Sequence, residues 1–299
     1  MTKMPFGRRV GATSFMIGKG STVKIGFIGL GNMATAIIGG MLREEVVLGS
    51  QTAGAAVTTA NIIGSAKTEA TRQAQAKRFG IQVTADNRAV AEAADVLVLA
   101  VKPVFFPEVI AEIRDAVRPG ALVISIAAGL TLERIAALFE RDAAAMRLIR
   151  CMPNTPALVN AGCTAVCPGA GATEADVALC LALVGSFGRG IVIPERLMDA
   201  ASAVAGSSPA FVFMFIEALA DGAVEAGMPR AQAYEFATAA VAGSAQLVLE
   251  TGRHPGDLKD MVCSPGGTTI EGVKALESRA FRAACMEAVE ACVAKAQTL

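Results

Sequence analysis

The sequence has 299 residues, 53% of them hydrophobic and 18% charged, with 27 basic side chains against 27 acidic ones. That length holds one large or two ordinary domains. A zero net charge with no basic stripe argues against a nucleic-acid partner, and the absence of any membrane-length run free of charged, polar, Gly and Pro residues argues against a membrane one.

In chain order, residues 1–22 come first. They carry Lys3, Arg8, Arg9 and Lys19 and no acid, a faint likeness to a transit peptide. They lack the compact apolar stretch and small-residue cleavage site of a secretory signal. A disordered extension, or a start codon placed too early, is expected. From Val23, short apolar runs alternate with helical patterns. "VKIGFIGL" reads as a buried strand, "MATAIIGGML" as a helix, and "AAVTTAN" (Ala55–Asn61) as the second strand. "EATRQAQAKRFG" is a helix ended by Gly80, and "IQVT" is the third strand. "ADVLVLAV" (Ala94–Val101) and "ALVISIA" (Ala121–Ala127) are the clearest strands, and "MRLIRCM" and "CTAVC" extend the sheet. Continuous apolar strands separated by helices indicate a mostly parallel sheet covered on both faces.

The pattern changes near Pro194, after which only helical stretches follow, punctuated by Gly and Pro. The most apolar is "AFVFMFIEALA" (Ala210–Ala220), expected to be buried on nearly every side, either in a core or in a subunit interface. The expected organisation is an extension over 1–22, an α/β dinucleotide-binding domain over 23–194, and an all-α domain over 195–299. The seven cysteines are scattered and the chain has one histidine, His254. No metal site is expected, and such thiols fit a reducing cytoplasm, the expected location.

The first chemical motif is Gly29-x-Gly31-x-x-Ala34, which follows a strand and opens a helix. This is the context of a dinucleotide fingerprint: Gly29 for a tight turn, Gly31 for close approach of a pyrophosphate, Ala34 for helix–strand packing. The expected second strand ends in "TTAN" and is followed by "IIGSAKTE", with Asn61, Ser65 and Lys67 at or beyond the tip and no acid at it. An acid there would hold a ribose 2′-hydroxyl and repel a 2′-phosphate, so NADPH is preferred over NADH. Ligands lie beyond the carboxyl ends of parallel strands. Ala100, Val101, Lys102 and Pro103 ("AVKP"), then Ala127 and Ala128 ("SIAAG"), occupy such ends. In "MPNTPALV", Asn154 and Thr155 are either polar contacts for the nicotinamide or parts of a loop fixed by two prolines.

Near the C-terminus stands "CSPGGTTIE" (Cys263–Glu271). Gly266 and Gly267 permit unusual turns, and Thr268 three residues before Glu271 has the spacing of a capping box. Free helix N–H groups with nearby hydroxyls suit a small carboxylate; the plain alternative is a turn and an ordinary capped helix. His254, Lys259 and Asp260 read as helix-end residues, and no general acid or base is assigned.

"GFIGLGNM", "AVKP", "SIAAG", "MPNTPALVNAG", "GSSPAFVFMFIEALADGAV" and "HPGDLKDMVCSPGGTTIEG" occur in this order. Together they closely resemble the pyrroline-5-carboxylate reductase family, over Val23 to Leu299. The resemblance implies a Rossmann-type dinucleotide-binding domain and an all-α domain that interlocks between subunits. It implies NAD(P)H-dependent reduction of Δ1-pyrroline-5-carboxylate to L-proline. Self-association and a small-molecule substrate are the partners it implies. By the same resemblance, Ser264, Gly266, Gly267, Thr268 and Thr269 match a cradle for the substrate carboxylate. Leu30, Asn32 and Met33 match the pyrophosphate turn; Asn61 and Asn87 match the adenosine side; Val101, Lys102 and Ala128 match positions along the cofactor. Phe211 stands where many members carry Tyr, so no phenolic acid is assigned there. Other readings are a reductase of a six-membered cyclic imine or a β-hydroxy acid, and a dinucleotide sensor without turnover.

Overall fold

A computed structural model describes residues 23–48 and 55–298. The expected extension over 1–22 lies outside the described residues, as does the stretch 49–54 before the expected second strand. In chain order the strands are β1 (Ile25–Ile28), β2 (Val47–Leu48), β3 (Ala55–Ala56), β4 (Ile62–Ser65), β5 (Gln82–Thr84), β6 (Val96–Leu99), β7 (Leu122–Ser125), β8 (Leu148–Met152), β9 (Gly162–Pro168) and β10 (Gly188–Val192). Eight of them form one sheet in the order β10-β9-β8-β7-β6-β1-β4-β5. Strands β1 and β4 to β8 run parallel, while β9 is antiparallel to β8. The chain steps from β1 outward to β4 and β5, then returns to β6 on the other side of β1. The crevice between β1 and β6 is therefore the topological switch point of an open α/β sheet.

Alternation along the strands explains the apolar runs. In β6, Val96 and Val98 join one core cluster with Ile25, Phe27 and Ile124. Leu97 and Leu99 join the other with Ile28, Ile110 and Ile135. Both faces are covered, as in parallel sheets generally. The helices of this part are α1 (Asn32–Arg43), α2 (Glu69–Phe79), α3 (Asn87–Ala93), α4 (Phe106–Ile113), α5 (Leu132–Leu138), α6 (Glu174–Gly185) and α7 (Met198–Ala201).

One strand expectation needs correction, and one strand lies where none is expected. "AAVTTAN" is not the second strand of the sheet: only Ala55–Ala56 pairs, with β2, in a separate two-stranded sheet. Thr58 instead caps a 3-10 turn over Thr59–Asn61, and the sheet strand is "IIGS" after it. The edge strand β10, "GRGIV", carried no signal in the sequence because two glycines interrupt its apolar pattern.

One buried ion pair ties α6 to the sheet. The Asp176 side chain is wholly buried and accepts from Arg147, with Nε at 3.0 Å, and from the Thr173 backbone N–H and hydroxyl, each at 2.9 Å. Burial pushes its carboxyl up, but the Arg147 and Thr173 hydrogen bonds outweigh burial and the net shift is downward. Asp176→Ala leaves Arg147 without its carboxylate partner and removes the Asp176 half of the capping box with Thr173, and should cost about 3–5 kcal/mol in urea unfolding. Because the folded pKa is depressed, the wild-type contribution is complete above the ordinary aspartate value of about 3.9. It is lost as pH falls through the lower folded value. Asp176→Ala should therefore lose this acid-induced step.

The described chain divides into two compact units, one ending at Gly206 and one spanning Ser207–Thr298. The second unit is entirely helical, with α8 (Ser208–Glu225), α9 (Arg230–Thr251), α10 (Pro255–Val262), α11 (Thr268–Ser278) and α12 (Phe281–Ala296). Its buried cluster is only Ala220, Ala233 and Ala237, where α8 meets α9. Small side chains let those helices approach closely but remove little apolar area from water. "AFVFMFIEALA" is not buried within one chain: Phe213 is 63% exposed and Met214 69%. Phe236, at 67%, and Met286, at 61%, are also open. Within its own helical unit this helix is not a buried core helix. Helical residues from Glu195 to Glu225 are long and apolar enough to cross a membrane by length and composition.

Candidate functional site

The carboxyl ends of β1, β4, β6 and β7 meet at the switch point. Gly29 N–H donates to Ser65 O at 3.0 Å, Ala100 N–H to Ile28 O at 2.8 Å, and Ile126 N–H to Leu99 O at 3.2 Å. Gly29 has φ +96°, and a Cβ there would lie 2.8 Å from Ala100 O. The turn thus requires glycine for its own geometry. Gly31 differs. It has φ −77° as N-cap of α1, and a Cβ would meet nothing within 4 Å. Nothing in the folded chain requires glycine there, which leaves room for a close ligand as the reason. No side chain caps α1, so the N–H groups of its first turn have no side-chain acceptor.

Gly31 and Asn32 are exposed beyond the strand end, and Met33 is half-buried. The Leu30 side chain is 2% exposed and packs against Gly64, leaving only its main chain for a ligand. Ala100 and Val101 are half-buried at the end of β6, while Lys102, Pro103 and Ala128 are exposed beyond the strand ends. Asn87, at the start of α3, accepts from Ser65 Oγ at 2.7 Å and donates to Glu112 at 2.7 Å. It therefore stands beside the tip of β4.

Asn61 does not join them. It immediately precedes β4, and Ile62 pairs with Ile25, so Asn61 sits at the amino end of the sheet. Its Oδ1 accepts from Thr58 N–H at 2.8 Å and its Nδ2 donates to Val23 O at 3.1 Å. Asn61 locks a turn and is not an adenosine contact. The true tip is Ser65-Ala66-Lys67, and the acid-free expectation changes with it. Glu69, the first residue of α2, lies just beyond. Asn154 also has its amide occupied: Oδ1 accepts from Cys163 N–H at 2.8 Å and Nδ2 donates to Ala205 O at 2.9 Å. That fixes the "MPNTP" loop rather than offering a contact to a nicotinamide. Burial pushes the Cys163 and Cys167 thiols up, which disfavours the thiolate.

The "SPGGTT" segment lies in the helical unit. Gly267 N–H donates to Ser264 O at 3.0 Å across a turn with Pro265 second and Gly266 third, at φ +67°. Pro then Gly at those positions is the type II pattern. A Cβ on Gly267 would lie 2.3 Å from Ser264 Oγ, so the hydroxyl rests against the Gly267 Cα. The expected capping box is absent. The N-cap is Gly267, not Thr268, and no side chain caps the helix. Glu271 instead faces solvent beside Lys274, 3.6 Å away. The N–H groups of the first turn of α11 consequently stand uncapped, flanked by the exposed Thr268 and Thr269. His254 caps α10, its Nδ1 accepting from Gly256 N–H at 3.0 Å. Lys259 and Asp260 pair with each other at the surface.

Comparison with known proteins agrees with both halves. Residues 195–299 match a family described as pyrroline-5-carboxylate reductase dimerisation, and residues 24–129 match one described as NADP oxidoreductase, coenzyme F420-dependent. The pyrroline-5-carboxylate reductase of Escherichia coli is 49% identical over 92% of this chain and 98% of its own. That of Methanosarcina acetivorans is 41% identical over 89% of this chain and 94% of its own. A solved pyrroline-5-carboxylate reductase from Coxiella burnetii superimposes with a TM-score of 0.84 at 32% identity, covering 93% of this chain and 98% of that one. The Plasmodium falciparum enzyme, solved with NADP bound, gives 0.77 at 28% identity over 92% and 97%. Identity at this level across nearly the whole length places the chain in the pyrroline-5-carboxylate reductase family.

Proposed function

We propose that this chain reduces Δ1-pyrroline-5-carboxylate to L-proline, the last step of proline biosynthesis, with NADPH as the preferred coenzyme and NADH as the alternative. The observation that carries the reading is the 49% identity spanning 98% of the Escherichia coli enzyme. When bound, the reduced nicotinamide supplies a hydride. The main chain of Gly29 to Met33 holds the pyrophosphate, Asn87 lines the adenosine side, and Ala100, Val101, Lys102, Pro103 and Ala128 border the rest of the cofactor. Ser264, the Gly266 and Gly267 main chain, Thr268 and Thr269 hold the substrate carboxylate at the uncapped start of α11. No side chain is assigned as acid or base. With the imine nitrogen already protonated, the chain contributes proximity and orientation.

The functional halves are 23–194 and 195–299, and the protein works in the cytoplasm. The exposed apolar side chains of α8, α9 and α12 are covered by a second copy in an interlocked dimer. Neither a membrane nor a nucleic acid enters this reading. The cradle is tested by Thr269→Val, which removes one hydroxyl and keeps the shape. Substrate KM should rise about tenfold or more, while NADPH binding stays within about twofold. Equal binding and turnover by wild type and variant would remove Thr269 from the cradle.

A further inference from the structure

Building on the proposed cofactor site, we infer that Arg72 is a positioning residue for coenzyme choice, because it neutralises Glu69 beside the tip of β4. In α/β dinucleotide sites the end of this strand meets the adenosine ribose. A free acid there holds the 2′-hydroxyl of NADH and disfavours the 2′-phosphate of NADPH. This chain has such an acid at the first residue of α2, but both of its oxygens are engaged. Glu69 Oε2 accepts from Arg72 Nε at 3.1 Å and from Arg72 Nη2, and Oε1 accepts from Gln73 Nε2 at 2.9 Å. The remaining Arg72 nitrogen, Nη1, donates to Ala66 O at 2.7 Å and Lys67 O at 3.1 Å. The guanidinium is thereby fastened to the strand tip itself, with its side chain only 16% exposed. An exposed i,i+3 pair is ordinarily a minor stabilising contact. Here it sits where a ligand's extra charge falls. With Arg72 in place the turn carries one net positive charge, from Lys67, and no unoccupied carboxylate oxygen. Without Arg72 the same turn presents a carboxylate without its counter-charge, still held at Oε1 by Gln73, to a 2′-phosphate.

The test uses the full-length protein and direct titration of NADPH and NADH by their nicotinamide fluorescence, with no substrate present. Arg72→Gln should weaken NADPH binding on the order of tenfold and leave NADH within about twofold. The NADPH deficit should shrink as salt rises, as expected of a charge effect at an exposed site. Glu69→Gln combined with Arg72→Gln should restore NADPH binding to within about threefold of wild type, since the masked acid is then gone. Parallel weakening of both coenzymes in Arg72→Gln, or no recovery in the double variant, would show that Arg72 merely braces the Ala66–Lys67 turn, and would overturn the inference. A wild-type chain that binds neither coenzyme removes the reading of the site, and this inference with it.

Discussion

Gly31→Ala should fold with wild-type stability and bind NADPH on the order of 100-fold more weakly. Its backbone is in an ordinary region and its Cβ would meet no protein atom within 4 Å, so the folded chain has no quarrel with a methyl group there. The loss would come from the ligand, since the methyl would keep a pyrophosphate from the uncapped N–H groups of α1. Each charge-assisted hydrogen bond forfeited is worth about 1.5–3 kcal/mol. Gly29→Ala is the matching control. There φ is +96° and the Cβ would press on Ala100 O, so the chain itself should lose about 1–3 kcal/mol. Thermal unfolding and NADPH titration of the two variants separate these effects. Equal NADPH affinity in wild type and Gly31→Ala would mean that the pyrophosphate does not lie on this turn.

Phe236→Glu should convert the protein to a monomer and strip it of activity. Among the described residues, the buried cluster of the helical unit consists of three alanines, while Phe236, Phe213 and Met214 lie open on α9 and α8. Fully burying a phenylalanine is worth about 1.5–3 kcal/mol, and a charge placed in a desolvated interface is opposed more strongly still. A two-fold dimer carries the substitution twice. Dissociation should be promoted by at least about 100-fold, and sedimentation equilibrium reads it directly. A variant that stays associated and active would place Phe236 outside the interface and call for another explanation of the open apolar surface.

Much of the α/β half is legible in the sequence because the sheet is covered on both faces. Runs such as "VLVL" and "LVI" must then be apolar at every position, and few other structures ask for that. The fingerprint turn is legible for a related reason, as Gly29 is required by the backbone and Gly31 is unexplained by it. The failures have local causes. "AAVTTAN" has the β-branched composition of a strand, yet Thr58 and Asn61 exchange hydrogen bonds that close a 3-10 turn and carry Asn61 to the wrong end of the sheet. Thr268 and Glu271 have the spacing of a capping box, but the two glycines start the helix one residue earlier and leave Glu271 in solvent. The two readings of Asn154, ligand contact or fixed loop, are not separable in the sequence, because a sequence does not show which backbone groups need a partner. With the strand end placed at Asn61 no acid stands at the tip; the actual strand ends at Ser65, and Glu69 in "SAKTE" then lies just beyond it. The openness of α8 could not be foreseen either, since an apolar helix reads alike whether its cover comes from its own chain or from another.

The reaction itself is read by following NADPH absorbance with purified protein and Δ1-pyrroline-5-carboxylate while proline is quantified in the same samples. One proline should form for each NADPH oxidised, with a higher kcat/KM for NADPH than for NADH. Tight NADPH binding with no oxidation and no proline would contradict the proposed reaction.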